Sequence, residues 1–337
     1  MKRFTYHEPK TVEEAVSRLS EFVNDGMIKA GGTDLLVGMK MEIFSPQHLV
    51  DIRKMNSLAF VSEISQERLR IGALTTLRDI ERSPLVRKEF PVLWQAASSV
   101  ASPHIRNRAT LGGNICLDSR CPYYNQSRQW LRYLDPCVKR RGGYCYVTKS
   151  EGRCCSIFSA DTVSALIVLG ARVKLIRSAG ERVLPLADFY TGVGNRVNRI
   201  RPEEMLTEIE IPVMKAATSA VYHKVSDRDQ IDFPMIGIAA KVSSENGTFG
   251  EVDVVIIGTG PGPVRLIKIG EKLAGQRTDS KIVEEVCGEI PHMLHPISNA
   301  YGLAEYKGRI LPSRVAHAIK EAVANLGSGF RGSGFKV

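Results

Sequence analysis

Lys29-Ala30-Gly31-Gly32-Thr33-Asp34-Leu35-Leu36 follows a short apolar run, Met27-Ile28, and its reading decides the fold of the N-terminal part. Two adjacent glycines let a chain adopt positive φ and bring its backbone close to a ligand. Successive N–H groups of such a turn can converge on phosphate oxygens. Thr33 adds a hydroxyl, and Asp34 stands where a helix N-cap would open the apolar run Leu35, Leu36, Met39. A second turn, Thr110-Leu111-Gly112-Gly113-Asn114-Ile115, repeats the pattern with Thr110 and Asn114 as flanking donors. Neither turn matches GxGxxG or a Walker A loop, so a Rossmann fold or P-loop is not indicated. Each turn alone reads equally well as an ordinary tight turn. Together they predict a two-sided clamp on a dinucleotide pyrophosphate.

Outward from these turns the chain alternates short helices and strands. Thr11-Val-Glu-Glu14 is a capping-box pattern, followed by Val12, Ala15, Val16, Leu19 and Phe22 at helical spacing. Strands are expected at 48–52, 69–73, 171–176, 182–189 and 205–212, and helices at 76–82, 91–101 and 161–169. From Ala217 the character changes. Strand patterns at 221–227, 235–243 and 252–258, with Asn246-Gly247 as a hairpin turn, predict an antiparallel sheet. Helices at about 263–274, 280–290 and 313–325 close the chain, and the tail GSGFRGSGFKV reads as frayed. The expected fold class is α+β: a first domain over 1–216, with parts 1–57 and 58–216, and a second over 217–337.

The chain has 337 residues, 43% hydrophobic and 24% charged, an ordinary globular balance. No apolar run approaches the roughly 18 residues of a membrane span, and the start lacks a secretory h-region. A soluble, cytoplasmic protein without a membrane partner is expected. The seven cysteines are unevenly placed, with six between Cys116 and Cys155 and only Cys287 outside. Net charge is +10, and residues 117–156 hold eight bases against three acids. One segment therefore carries both anomalies.

Within it the spacing is Cys121-x15-Cys137-x7-Cys145-x8-Cys154, with Cys155 adjacent. There is no CxxC pair, which counts against a zinc ribbon or finger. Four thiolates held apart on an irregular loop suit an iron–sulfur cubane, which the spacing favours over structural zinc or free buried cysteines. The bases Arg120, Lys139, Arg140, Arg141 and Arg153 are expected to lower the thiol pKa values. Tyr123, Tyr124, Trp130, Tyr133, Tyr144 and Tyr146 are interleaved with them, which makes nucleic acid a rival partner. No recognition-helix or RNA-motif pattern accompanies them, so no nucleic acid is expected. A docking face for an acidic protein explains the charge equally well. His104, His223, Asp227 and Asp229 read as structural or solvated residues, and Glu203-Glu204 and Glu284-Glu285 as solvated charges.

The elements AGGTDLL at 30–36, ATLGGNI at 109–115, SAD at 159–161, PEEMLTEIEIP at 202–212 and YHKVSDRD at 222–229 occur in an informative order. With them the chain resembles, end to end, the FAD-binding medium subunits of the xanthine dehydrogenase family of molybdenum hydroxylases. The resemblance implies a two-part FAD-binding domain of the vanillyl-alcohol-oxidase and CO-dehydrogenase flavoprotein type. It adds a C-terminal domain of antiparallel sheet and helices. FAD would be held by Lys29, Ala30, Gly31, Gly32, Thr33, Asp34, Leu35 and Leu36, and by Thr110, Leu111, Gly112, Gly113 and Asn114. Ala101, Asp161, Leu206 and Lys224 would make further flavin contacts. Gly32 stands where some members carry Asn, so a side-chain donor is lost there.

Ordinary members lack the 117–156 segment. With DSRCPYYNQS at 118–127, it resembles the flavin subunits of 4-hydroxybenzoyl-CoA reductases, which carry an additional [4Fe-4S] cluster on such an insertion. The resemblance implies Cys121, Cys137, Cys145 and Cys154 as its ligands, with Cys155 a possible substitute for Cys154. It also implies an oxidoreductase subunit that relays electrons from ferredoxin through [4Fe-4S] and FAD to a [2Fe-2S] small subunit and a molybdenum large subunit. The substrate chemistry, reductive dehydroxylation to benzoyl-CoA, would lie on the molybdenum subunit, so no catalytic residue is assigned here. A dimer of three-subunit units is the family expectation. The alternative is the FAD subunit of an oxidative hydroxylase of the xanthine, aldehyde or CO dehydrogenase type.

Overall fold

The computed structural model describes residues 1–326 except 64, 66 and 229, together with the backbone but not the side chain of Ser280. The C-terminal tail read as frayed and the candidate Asp229 lie outside the described residues. The chain opens with β1 (Thr5–His7), α1 (Val12–Glu21), β2 (Gly26–Lys29), α2 (Leu35–Lys40) and β3 (His48–Asp51). The three strands pair in parallel in the order β1-β3-β2. Thr11 caps α1 by accepting from the Glu14 amide, as its sequence pattern predicts, and Ala15, Val16 and Leu19 bury one face of the helix.

The next part is built on β4 (Arg68–Gly72), α3 (Leu77–Arg82), α4 (Pro91–Ser98), α5 (Leu111–Ile115), α6 (Asp161–Val168), β5 (Arg172–Arg177), β6 (Gly180–Pro185) and β7 (Met205–Pro212). Its antiparallel sheet has the order β4-β7-β5-β6. All eight residues of α6 are buried. A helix apolar on every side is a core helix, and α6 packs between α4, α5 and the strands of the following sheet. The strand expected over 182–189 ends at Pro185. Leu186–Phe189 instead forms a helical turn that buries Leu186 and Phe189 in the same core.

The last part carries β8 (Thr218–Val225), β9 (Ile236–Glu245), β10 (Thr248–Ile257) and the short β11 (Val264–Arg265), antiparallel in that order. Asn246 and Gly247 turn the β9–β10 hairpin, both at positive φ (52° and 75°), as a primed turn requires. Helices α7 (Ile267–Leu273) and α9 (Ala304–Ala324) pack on this sheet, and α8 (Ser280–Cys287) packs on those two helices. The helix α9 begins nine residues before its expected start and runs through Pro312. A proline ring crowds the carbonyl four residues earlier, which here belongs to Gly308. Among the described residues no helix is long and apolar enough to cross a membrane.

Candidate flavin cleft and cysteine cavity

The two glycine turns face one cleft of about 690 Å³. Its lining includes Ala30, Gly31, Gly32, Thr33, Asp34 and Leu35 from the first turn, and Thr110, Gly112, Gly113 and Asn114 from the second. Ala101 and Leu206 line it as well, as does Cys116, whose place after the second glycine stretch reads as flavin-side packing; Ile231 and Phe233, also in the lining, are not singled out by sequence patterns. Its volume and largely apolar wall suit a cofactor-sized ligand.

The turns differ in what they offer an anion. In the second, the amides of Leu111, Gly112, Gly113 and Asn114 donate to the Thr75 carbonyl, the Ala73 carbonyl, the Thr110 hydroxyl and the Thr110 carbonyl. Among the described residues nothing accepts from the amides of Gly31, Gly32, Thr33 and Asp34. The expected two-sided amide clamp is therefore one-sided: the first turn presents donors and the second is a folded shelf. Two of the glycines are needed by the protein itself. A Cβ on Gly31 would stand 2.0 Å from the Arg108 carbonyl oxygen, and one on Gly112 would stand 2.8 Å from the Ala73 Cβ. Gly32 has φ +74°, the conformation that favours glycine.

Five residues expected at the flavin, Lys29, Leu36, Leu111, Asp161 and Lys224, are not among those lining the cleft. Lys29 is buried, with Nζ 2.6 Å from Asp51 Oδ2. Asp161 and Lys224 form a buried pair 3.2 Å apart, and the Tyr222 hydroxyl donates to Asp161 at 2.8 Å. Lys224 also donates to the Ser99 carbonyl at 2.8 Å, just before Ala101 in the cleft wall. Ala101 takes positive φ (45°), and its carbonyl accepts from the Ile231 amide. Lys224 and Asp161 thus support the wall. Burial raises the Asp161 carboxyl above its ordinary range, and the Lys224 charge and Tyr222 hydroxyl offset only part of that rise.

The carboxylates in the lining are all engaged. Asp34 pairs with Arg120, Asp118 with Lys139 and Glu204 with Arg182. Glu204 is buried and lies in the cleft wall, so its reading as a solvated charge is corrected. Burial pushes Glu204 up, but hydrogen bonds from Arg182 and the Arg201 amide outweigh it and hold the carboxyl low. A low, ion-paired carboxylate is a poor general acid near neutral pH.

Residues 117, 118 and 120 form part of the same wall. Arg120 pairs with Asp34 at the first turn, stacks 4.8 Å over the Phe233 ring and exchanges backbone hydrogen bonds with Ile157. The next residue is Cys121. The remainder of the insertion is short pieces, including two two-residue strands, Tyr144–Cys145 and Ser150–Glu151. Cys121, Cys137, Cys145 and Cys154 line one small cavity together with Cys155. The space between them is about 10 Å³, so a group larger than one water needs the loop to open.

Four thiols can hold zinc, at zinc–sulfur bonds of about 2.3 Å. Four thiols and no imidazole is also the donor set of an iron–sulfur cluster. The expectation that bases lower the thiol pKa values is not met. Burial pushes Cys121 up to about 11, and Cys155 is raised as well. The bases are turned elsewhere: Arg120 to Asp34, Lys139 to Asp118, Arg140 to the Leu131 carbonyl and Arg153 to the Gly192 carbonyl. At Cys145 burial is outweighed by hydrogen bonds from the Thr148 hydroxyl and the amides of Thr148, Val147 and Cys155, which lower it. Cys154 is buried and Cys155 half-buried.

Residues 2–214 match the family model for the FAD binding domain in molybdopterin dehydrogenase, and residues 221–322 that for the CO dehydrogenase flavoprotein C-terminal domain. The aldehyde oxidoreductase FAD-binding subunit of Escherichia coli is 32% identical over 73% of this chain and 79% of its own. The nicotinate dehydrogenase FAD-subunit of Eubacterium barkeri is 30% identical over 72% and 70%. The carbon monoxide dehydrogenase of Hydrogenophaga pseudoflava, solved without the Mo-pyranopterin moiety, superposes with a TM-score of 0.81 at 26% identity. That match covers 97% of this chain and 99% of the other. The chain belongs to the FAD-binding medium-subunit family of the molybdenum hydroxylases.

Proposed function

We propose that this chain is the electron-transfer subunit of a molybdenum hydroxylase of the xanthine, aldehyde or CO dehydrogenase type. Its partners would be a molybdenum large subunit and a [2Fe-2S] small subunit. One observation carries the reading: both glycine turns open onto a single large cleft whose carboxylates are all ion-paired, a binding site without an acid–base set. FAD, when bound, supplies a centre that takes up and gives out one or two electrons. The residues of this chain do the rest. The amides of Gly31, Gly32, Thr33 and Asp34 are free to bind the pyrophosphate. Ala101, Leu206 and Cys116 supply apolar wall, and Lys224 with Asp161 fixes the backbone beside Ala101. A tag on this chain should retain both partner subunits, and the complex should bleach its flavin absorption when electrons are supplied. Recovery of the chain alone, without flavin, would sink the reading.

The thiol-lined cavity favours a second, finer reading, the 4-hydroxybenzoyl-CoA reductase subunit. In it Cys121, Cys137, Cys145 and Cys154 hold a [4Fe-4S] cluster, which supplies single-electron transfer, and ferredoxin is the donor. Cys137→Ser should abolish electron entry from reduced ferredoxin while one FAD stays bound. Unchanged ferredoxin-driven turnover would remove the relay and leave the oxidative reading.

A further inference from the structure

Apart from the flavin cleft and the cysteine insertion, three metal-binding side chains meet on the C-terminal domain. His223 lies on β8, the outer strand of its sheet, and His317 and Glu321 lie on α9. The two helix residues are four apart and so share a face. That face crosses β8, to which α9 packs. The imidazole and carboxylate ligand atoms of all three lie within 4.8 Å of one another. Glu321 Oε2 is 2.8 Å from His223 Nε2 and 3.9 Å from His317 Nε2, and the two rings are 5.1 Å apart between centroids.

We propose that His223, His317 and Glu321 form a binding site for a divalent transition ion, zinc by its donor set. Two imidazoles and one carboxylate suit a borderline ion, whereas calcium and magnesium favour sites made of oxygen. Zinc–nitrogen and zinc–oxygen bonds of about 2.0–2.2 Å bring ligand atoms to within about 3.5 Å of one another. The movement needed falls mainly on His317, whose side chain is 64% exposed and free to turn. Three protein ligands leave a fourth position for water. The ion joins residues nearly a hundred positions apart in sequence, tying the last helix to the outer strand.

Cobalt(II) titration of the full flavin-loaded complex, first stripped of loosely held ions by a chelator, tests this. Wild type is expected to take up one cobalt with the visible bands of a nitrogen and oxygen site and without thiolate charge-transfer absorption. In His317→Ala that uptake should weaken at least about tenfold, the lower end of what losing even an outer-shell partner costs. Its flavin content should be unchanged. Zinc should raise the melting temperature of wild type and not of His317→Ala, since a ligand that binds only the folded state stabilises it. Glu321→Gln, a second variant with little change of volume, should behave likewise. Equal cobalt uptake by wild type and both variants, or uptake with thiolate bands alone, overturns the proposal.

Discussion

At the scale of single residues, the most consequential charges are those the fold hides. Asp161, Lys224 and Tyr222 form a buried unit behind the cleft wall, and removing the cation would strand a carboxylate without water or partner charge. Breaking a buried pair in this way costs about 3–5 kcal/mol, far more than an exposed pair such as Arg18–Glu21, at under about 1 kcal/mol. The sign with pH follows from the raised Asp161 pKa. A carboxyl whose folded pKa lies above its unfolded value is relieved by protonation, so the penalty of its charge grows as pH rises through the folded pKa. Lys224→Met should therefore lower the unfolding free energy strongly at pH 7 and less at pH 4.5, measured by urea denaturation at both. An equal loss at the two pH values would place the damage elsewhere. This unit was not legible as such. The sequence motifs mark Asp161 and Lys224 as functional positions, but nothing in a linear pattern distinguishes a ligand contact from the brace behind it.

At the scale of elements, the glycine turns illustrate what spacing can and cannot convey. The first was readable as a turn, because two adjacent glycines beside Thr and Asp have few other uses, whereas the second opens the short helix α5, capped by Thr110. Their different roles depend on which carbonyls lie nearby, and those come from distant segments such as Ala73, Thr75 and Arg108. Gly31→Ala would drive a methyl into the Arg108 carbonyl, where backbone rather than a flexible side chain must yield. Such overpacking costs about 1–3 kcal/mol, and the displaced turn should carry less FAD after purification. Gly143→Ala, with open space around it, should change neither stability nor flavin content. Thermal melts and flavin absorbance on the two variants check this, and equal behaviour of the pair would contradict it. The antiparallel hairpins of the C-terminal sheet were legible for the same local reason as the turns. The helical turn at Leu186–Phe189 and the early start of α9 were not. Apolar residues bury equally well in a strand or a helical turn, and Pro312 reads as a helix start although α9 runs through it.

At the scale of the whole molecule, the account rests on two sites that share a wall. Residues 117, 118 and 120 line the flavin cleft, and residue 121 opens the thiol-lined cavity, with Arg120 reaching back to Asp34 on the glycine turn. The cysteine spacing marked the segment as unusual, and the four candidate ligands line one cavity. The charge excess of that segment was legible, but not how its bases are placed. Arg120 and Lys139 pair with carboxylates of the cleft wall, while burial raises Cys121 and hydrogen bonds lower Cys145. The most direct test of the central claim is the content of iron, acid-labile sulfide, zinc and flavin per chain, in protein prepared without oxygen. The account predicts one FAD per chain; about four irons and four sulfides beside it, the composition of one cubane cluster held by four thiolates, is what its second, finer reading predicts. One FAD with zinc in place of iron and sulfide would leave a flavoprotein whose insertion is a structural staple. Zinc without flavin would contradict the account altogether.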